Sequence, residues 1–200
     1  MRLLSAQSAP SDPSLCRSTR SPDESTSEDY TRFNSVVMPH LDAAYNLAYW
    51  LTSNRTDAED VVQEASLRAF RAVGGFAGGS ARAWVLRIVR NTAYSWLRKN
   101  RSGPVAAVED LEAVEAAHAK PSDPNAETPE AAIIAKAQAA QLRAAIAVLP
   151  PPFRETLVLR DIEGLDYREI AEATEVPIGT VMSRLARARS RLIVAIGENA

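Results

Sequence analysis

Apolar residues return at steps of three and four along most of this chain, and the places where that rhythm stops mark off a set of helices. Tyr30, Phe33 and Val37 start one stripe, and Leu41, Ala44, Tyr45, Ala48 and Leu51 continue it beyond Pro39, which bends or restarts the helix. A turn is expected from Ser53 to Arg55. Thr56 and Glu59 have the spacing of a capping box, opening a helix from about Asp57 to Ala72 with Ala58, Val61, Val62, Ala65 and Ala69 facing inward. The run Gly74-Gly75-Phe76-Ala77-Gly78-Gly79 breaks the rhythm as a flexible loop, and Ser80 offers a cap for the next helix. That helix runs from Ala81 to about Asn100 on Trp84, Val85, Ile88, Ala93, Trp96 and Leu97, with Trp84 expected in the core.

The pattern fades on either side of this block. Residues 1–28 are rich in serine and proline with almost nothing apolar, the composition of a disordered tail. From Gly103 to Glu130 the residues Glu109, Asp110, Glu112, Glu115, Asp123, Glu127 and Glu130 stand against Lys120 alone, interrupted by four prolines. This is expected to be a linker, disordered or partly helical around Leu111 to Ala117. Thr128-Pro129 then opens a second block as cap and first helical residue. Leu142, Ala145, Ile146 and Leu149 make its first stripe, Pro150 to Pro152 end that helix and begin another, and Phe153, Leu157, Val158 and Ile162 pack the latter before Gly164. The fold class is therefore all-α: two small helical domains, 29–101 and 129–196, with a tail at 1–28 and an acidic flexible linker at 102–128.

The stretch from Leu165 to Leu192 carries the clearest motif. Asp166 stands three residues before Glu169, so a capped helix begins near Tyr167, and Pro177 ends it within a few turns. A second helix starts around Ile178 to Thr180 and lines up Val181, Leu185, Ala188 and Leu192 on one stripe. Its opposite face carries Thr180, Ser183, Arg184, Arg187 and Arg191, with Arg189 on the flank, and no acid lies between Glu175 and Glu198. Small hydroxyls followed by guanidinium groups suit base edges and phosphates in a major groove, so the pair reads as a helix-turn-helix. A solvated Arg-rich surface helix is the bland alternative. The joint spacing of Ala171 at a close helix crossing, a turn four residues later and Val181 ten residues later weighs against it. Glu175 falls at the turn, where a left-handed backbone is common and glycine avoids a cost of roughly 1 kcal/mol.

Composition changes this picture only where it is local. The formal net charge is −2, from 23 basic and 25 acidic residues, but the signs are segregated. Between Glu64 and Glu109 stand Arg68, Arg71, Arg82, Arg87, Arg90, Arg98, Lys99 and Arg101 with no acid, interleaved with Asn91, Tyr94 and Trp96. Such a stretch suits a phosphate backbone and unstacked bases. The helix before it has the opposite character. Asp57, Asp60, Gln63, Glu64 and Leu67 share an outer side; acids near its start favour the helix dipole, but Glu64 lies too far along and Leu67 gains nothing from solvent. A protein partner is the reading for that face. The single Cys16 excludes an internal disulfide framework, and with only His40 and His118 beside it no zinc cluster of usual spacing exists. No cofactor or metal is expected, and the glycine run lacks Lys and Ser/Thr at Walker spacing. No run approaches the roughly 18 apolar residues of a membrane span. A cytoplasmic protein is expected.

The order of parts, DAEDVVQEASLRAF, GGSARAWVLRIVRNTAYSWLRKN, an acidic linker, LPPPFRETLVLRDIEGLDYREIA and VPIGTVMSRLARARSRL, resembles a bacterial RNA polymerase sigma factor of the extracytoplasmic-function group, in which only regions 2 and 4 of the sigma-70 family remain. The resemblance covers about residues 30–195. It implies that Asp60, Gln63, Glu64 and Leu67 dock on the clamp helices of the polymerase beta-prime subunit. It implies that the glycine loop and the helix with Arg87, Arg90, Asn91, Tyr94 and Arg98 open the minus-ten element and hold a flipped base. Thr180, Ser183, Arg184, Arg187 and Arg191 would read the minus-thirty-five element, the second domain would also sit on the beta-flap, and the linker would thread toward the RNA exit path. An anti-sigma factor is a further partner that the resemblance allows. Ser66 and Glu175 depart from the family pattern, which often has a bulky apolar residue and a glycine there. The rivals are an autonomous regulator using only the C-terminal motif, which leaves the basic N-terminal block unexplained, and an enzyme such as a serine recombinase. The serines crowd the tail rather than a folded catalytic domain, so a non-enzymatic role is expected.

Overall fold

The structure, a computed structural model, describes residues 22–100 and 129–197. Among the described residues there are helices and turns and no strand. The first domain comprises α1 (Pro22–Val36), a 3-10 turn (Met38–His40), α2 (Leu41–Thr52), α3 (Arg55–Ala72), a second 3-10 turn (Val73–Gly75) and α4 (Ala81–Asn100). The second comprises α5 (Pro129–Ala147), α6 (Pro151–Leu157), a π-helical turn (Val158–Ile162), α7 (Tyr167–Thr174) and α8 (Ile178–Gly197). The linker expected to span 102–128, with its partial helix around Leu111 to Ala117, lies outside the described residues, as do Cys16 and most of the expected tail.

Local chemistry explains most of the boundaries. Pro39 sits inside the 3-10 turn that separates α1 from α2, because a proline nitrogen cannot donate to the preceding helical turn. Ser53 closes α2 in the left-handed region at φ 58°. The cap of α3 is not Thr56, as the capping-box spacing led us to expect, but Asn54, whose side chain accepts from the Asp57 amide at 3.0 Å. The helix therefore starts two residues early, and Arg55 pairs with Glu59 one turn on at 3.0 Å. A second correction concerns α1. It begins at Pro22, inside the stretch read as a tail, because proline is well tolerated as the first helical residue.

The core of the first domain joins α2, α3 and α4 through Leu47, Ala48, Ala58, Val61, Ala65, Leu86 and Val89. Small residues on α3 let the helices approach closely, and Trp84 is 9% exposed, as its apolar surroundings predict. Ser66 lines a small apolar void with Val37, Leu41, Ala44 and Val85, which its short side chain leaves unfilled. Phe33 meets Phe70 edge-on at 5.5 Å and fastens α1 to α3. In the second domain Ile146, Leu149, Leu157, Leu159, Ile170, Val181 and Leu185 are buried. Leu142 and Ile162, expected in that core, are exposed instead. Ile162 is the last residue of the π-helical turn, which takes the chain off α-helical register with the Glu163 amide bonded back to the Val158 carbonyl at 2.9 Å.

The two domains pack together. α4 lies against α7, and α2 against α6. Arg154 of α6 reaches across to donate to the Trp50 carbonyl at 3.0 Å while also bonding the Leu149 carbonyl at 3.1 Å.

Candidate nucleic-acid interface

Three surfaces were singled out by the sequence, and each stands on one rigid helix. On α3, Asp60, Gln63 and Leu67 are exposed, Glu64 is half-buried, and Leu67 keeps half of its surface in solvent. Glu64 accepts from Arg68 at 2.8 Å, an exposed pair one turn apart that orients the carboxylate without neutralising the whole face.

On α4, Arg90, Asn91, Tyr94 and Arg98 fall at helical steps and, with Ser95, line an open hollow of about 380 Å³. Arg87 is half-buried on the same helix but does not line it. The hollow is organised from within. Arg90 donates to Asn91 Oδ1 at 3.1 Å and lies 4.9 Å from the centre of the Tyr94 ring, and Arg98 donates to Ser95 Oγ at 3.2 Å. Guanidinium groups beside an aromatic ring and an amide provide charge, stacking surface and hydrogen bonds within one concavity. The glycine loop that precedes α4 is held from both ends. Ser80 Oγ accepts from the Ala83 amide at 3.2 Å, the expected cap, and Arg32 of α1 donates to the Phe76 carbonyl at 2.8 Å. Gly78 and Gly79 adopt φ 107° and 93°, which side chains rarely permit.

The helix-turn-helix is formed by α7 and α8. Asp166 Oδ1 accepts from the Glu169 amide at 2.8 Å while Glu169 Oε2 accepts from the Asp166 amide at 2.9 Å, so the reciprocal cap read from the sequence is complete. Glu175 turns the chain at φ 57°, ψ 40°, left-handed as the spacing implied. Val181, Leu185 and Ala188 are buried against α7, which leaves Thr180, Ser183, Arg184, Arg187 and Arg191 on the other side of α8. These are not equally free. Ser183 donates to the Thr180 carbonyl at 3.0 Å, Arg191 lies 4.8 Å above the Phe153 ring, and Arg184 is half-buried. Arg189, on the flank, is bound to Asp161 at 2.6 Å.

What the sequence reading missed is a set of carboxylates from the second domain that reach the basic surface of the first. Glu155 of α6, 1% exposed, accepts from the Arg90 Nε and, at 3.1 Å, from the Tyr94 hydroxyl. Glu163, 6% exposed, accepts from Arg82 at 2.7 Å and from Asn46 at 3.1 Å. Glu169 Oε1 accepts from Ser80 at 2.7 Å. Burial pushes the Glu155 carboxyl above the usual carboxylate range, against the opposing pull of Arg90 and its hydrogen bonds. Burial and then Glu155 raise the Tyr94 hydroxyl, which therefore stays protonated and donates. The signal was an acid inside an apolar stretch: Glu155 stands between Phe153 and Leu157, where a polar residue needs a partner from elsewhere.

The chain matches the family model for sigma-70 region 2 over residues 36–103 and that for sigma-70 region 4 over residues 139–192. It is 40% identical over 161 residues to the ECF RNA polymerase sigma factor SigE of Mycolicibacterium smegmatis, covering 80% of this chain and 60% of that protein. It is 36% identical over 172 residues to the RNA polymerase sigma-H factor of Pseudomonas aeruginosa, covering 84% of this chain and 88% of that one. Among solved structures it is similar to the sigma factor RpoE of Bartonella quintana, in co-crystal with the anti-sigma factor NepR, at a TM-score of 0.63 and 25% identity over 85% of this chain and 98% of that one. The fold of CnrH, in complex with the cytosolic domain of CnrY, is also similar, at a TM-score of 0.61. The two matched regions stand in the order and on the helices that carry the three surfaces. The chain belongs to the extracytoplasmic-function sigma factors, which bind RNA polymerase and direct it to promoters.

Proposed function

We propose that the three surfaces divide that task. The acidic, leucine-bearing face of α3, with Asp60, Gln63, Glu64 and Leu67, docks on the beta-prime clamp helices of core polymerase, and the second domain rests on the beta-flap. The face of α4 with Arg87, Arg90, Asn91, Tyr94 and Arg98 holds the non-template strand of the minus-ten element. Arg184, Arg187 and Thr180 of α8 read the minus-thirty-five element, with Ser183 and Arg191 beside them. The observation that carries the reading is the hollow on α4, where cations, an amide and an aromatic ring converge next to a glycine loop pinned by Arg32 and Ser80.

The two readers are weak alone and strong together. Once polymerase fixes their spacing, the second DNA contact becomes intramolecular and gains an effective concentration on the order of millimolar. Opening of the duplex is driven by binding and stacking, so neither a catalytic group nor a cofactor is assigned. The protein acts in the cytoplasm, with polymerase and promoter DNA. An anti-sigma factor is a further partner, a reading supported by the likeness to RpoE, whose structure is a complex with NepR.

Co-elution of the purified chain with core polymerase, followed by transcription from a promoter library in one tube, tests this function. Binding with new start sites sharing two spaced elements is expected. Specific duplex binding by the chain alone, without polymerase binding, would overturn it in favour of an autonomous regulator.

A further inference from the structure

Three rows of side chains run along the solvent side of α8, and the assignment to DNA uses two of them. Thr180, Arg184 and Arg191 stand on one flank, and Ser183 and Arg187 run beside them one turn apart. The third row is apolar. Ile178, Met182 and Ala186 follow at steps of four on the side away from Arg184, and all three are exposed. We infer that this row enters the major groove of the upstream element, where Met182 packs on the C5-methyl group of a thymine. The inference rests on the reading of α8 as a DNA helix and adds the base that it selects.

Nothing inside the fold asks for this row. Val181, Leu185 and Ala188 bury the inner stripe of α8, while Met182 keeps 52% and Ile178 41% of its surface in solvent. The neighbourhood decides what covers it. No acid stands between Ile178 and Gly197, Arg187 runs alongside the row, and Arg189 closes its far end. A protein partner seated on the apolar groups would have to desolvate these guanidinium groups as well. Duplex DNA meets guanidinium groups with phosphates or base acceptors, and its major groove offers one apolar group, the thymine methyl. Gly179 points the same way. A Cβ there would meet no atom within 4 Å, and its φ is not left-handed, so neither packing nor backbone geometry calls for glycine. Its bare backbone lets the start of α8 come close to the base edges.

Ser183 narrows the base. Its hydroxyl donates to the Thr180 carbonyl at 3.0 Å, so toward the groove it presents only acceptor lone pairs. Adenine and cytosine each offer an amino donor there, but only the A·T pair joins that donor to a methyl group. The acceptor of Ser183 beside the apolar side chain of Met182 therefore favours A·T over G·C. Methionine suits the contact because its unbranched thioether adapts its shape to a small apolar target.

The test removes the methyl group and nothing else. Holoenzyme formed from the full-length chain and core polymerase is first given a duplex promoter library, which yields its preferred upstream element. The same promoter is then made with deoxyuridine in place of each upstream thymidine in turn. With the wild-type chain, affinity is expected to fall about fourfold at one of these positions, the effect of one buried CH2 group. Met182→Gln, at an exposed position, should bind the uridine and thymidine forms of that position alike. Met182→Leu, still apolar, should keep part of the discrimination. Wild-type holoenzyme indifferent to uridine at every position overturns the inference. So does a Met182→Gln variant that discriminates as the wild type does, or an upstream element without an A·T pair. Arg187→Ala separates this inference from the reading beneath it. If that variant relaxes the upstream preference while uridine is tolerated, only the methyl contact has failed; if the upstream preference is unchanged, α8 is not at the element and the inference falls with that reading.

Discussion

The α3 face and the α4 face lie on neighbouring helices of one small domain, yet the second domain reaches into the latter, where its carboxylates take Arg82 and Arg90. On α3, Asp60 and Leu67 meet solvent, and Arg55 and Arg68 pair one turn away with Glu59 and Glu64. On α4 two of the basic groups, Arg90 and Arg82, are spent on acids from 65 and 81 residues away. The acidic charge on α3 is answered from its own helix, and two of the cations of α4 are answered by carboxylates of the second domain.

The largest expected effect breaks this contrast at its centre. Arg90→Ala leaves Glu155 buried without its main partner, which should cost the closed arrangement of the two domains about 3–5 kcal/mol at neutral pH. The effect should depend on pH with a definite sign. Burial already raises the Glu155 carboxyl, and Arg90 is the chief influence holding it down, with Tyr94 and Arg184 the other groups facing it. Without Arg90 the closed form binds a proton more tightly than the open form. Closure should then recover below the ordinary carboxylate range and be lost again as pH rises through the raised value. Interdomain distance measured against pH checks it; a pH-independent distance would contradict the burial argument.

Smaller changes separate the readers. Arg184→Ala should cost about 1–3 kcal/mol at the upstream promoter element if the side chain reads a base. Selection from a promoter library would show relaxed preference there and none at the downstream element; an unchanged preference would remove Arg184 from the recognition face. Glu64→Lys on the α3 face should weaken polymerase binding by about 1–2 kcal/mol, the size of a contributing interface residue short of a hot spot. Its thermal unfolding should stay near that of the wild type, because its lost partner is an exposed Arg68.

Much of the scaffold was legible because its signals are local. The Asp166–Glu169 capping box, the Ser80 cap and the stripe of Val181, Leu185 and Ala188 depend on residues a few positions apart, and each is found where its spacing put it. Asn54 and Thr56 are both good capping residues two positions apart, and only the backbone decides between them. Leu142 fits a helical stripe by period, yet α5 offers that position to solvent. The candidate groups of α4 were found from charge and aromatic content, and four of the five do line one hollow. Their covering was not, since Glu155, Glu163 and Glu169 carry no periodicity that connects them to Arg90, Arg82 and Ser80. Only the packing of two domains brings those pairs together.

The smallest change tests how far the second domain is tuned for reading rather than for stability. Glu175 holds φ 57° at the turn between α7 and α8, a conformation that costs a residue with a side chain roughly 1 kcal/mol relative to glycine. Its amide is bonded to the Ala171 carbonyl, so the turn geometry is fixed whatever the side chain. Its carboxylate is exposed, and among the described residues no ion pair repays the strain. Glu175→Gly should therefore raise the stability of the second domain by about 1 kcal/mol, read as a higher midpoint in urea with an unchanged slope. It also removes a negative charge from the edge of the helix pair proposed to meet the upstream element. Affinity for the upstream element should rise modestly, and the gain should shrink as salt is added. A stability gain without any change in salt-dependent affinity would place Glu175 away from the DNA backbone and turn the reading edge of α8 toward Arg184 and Arg187 alone.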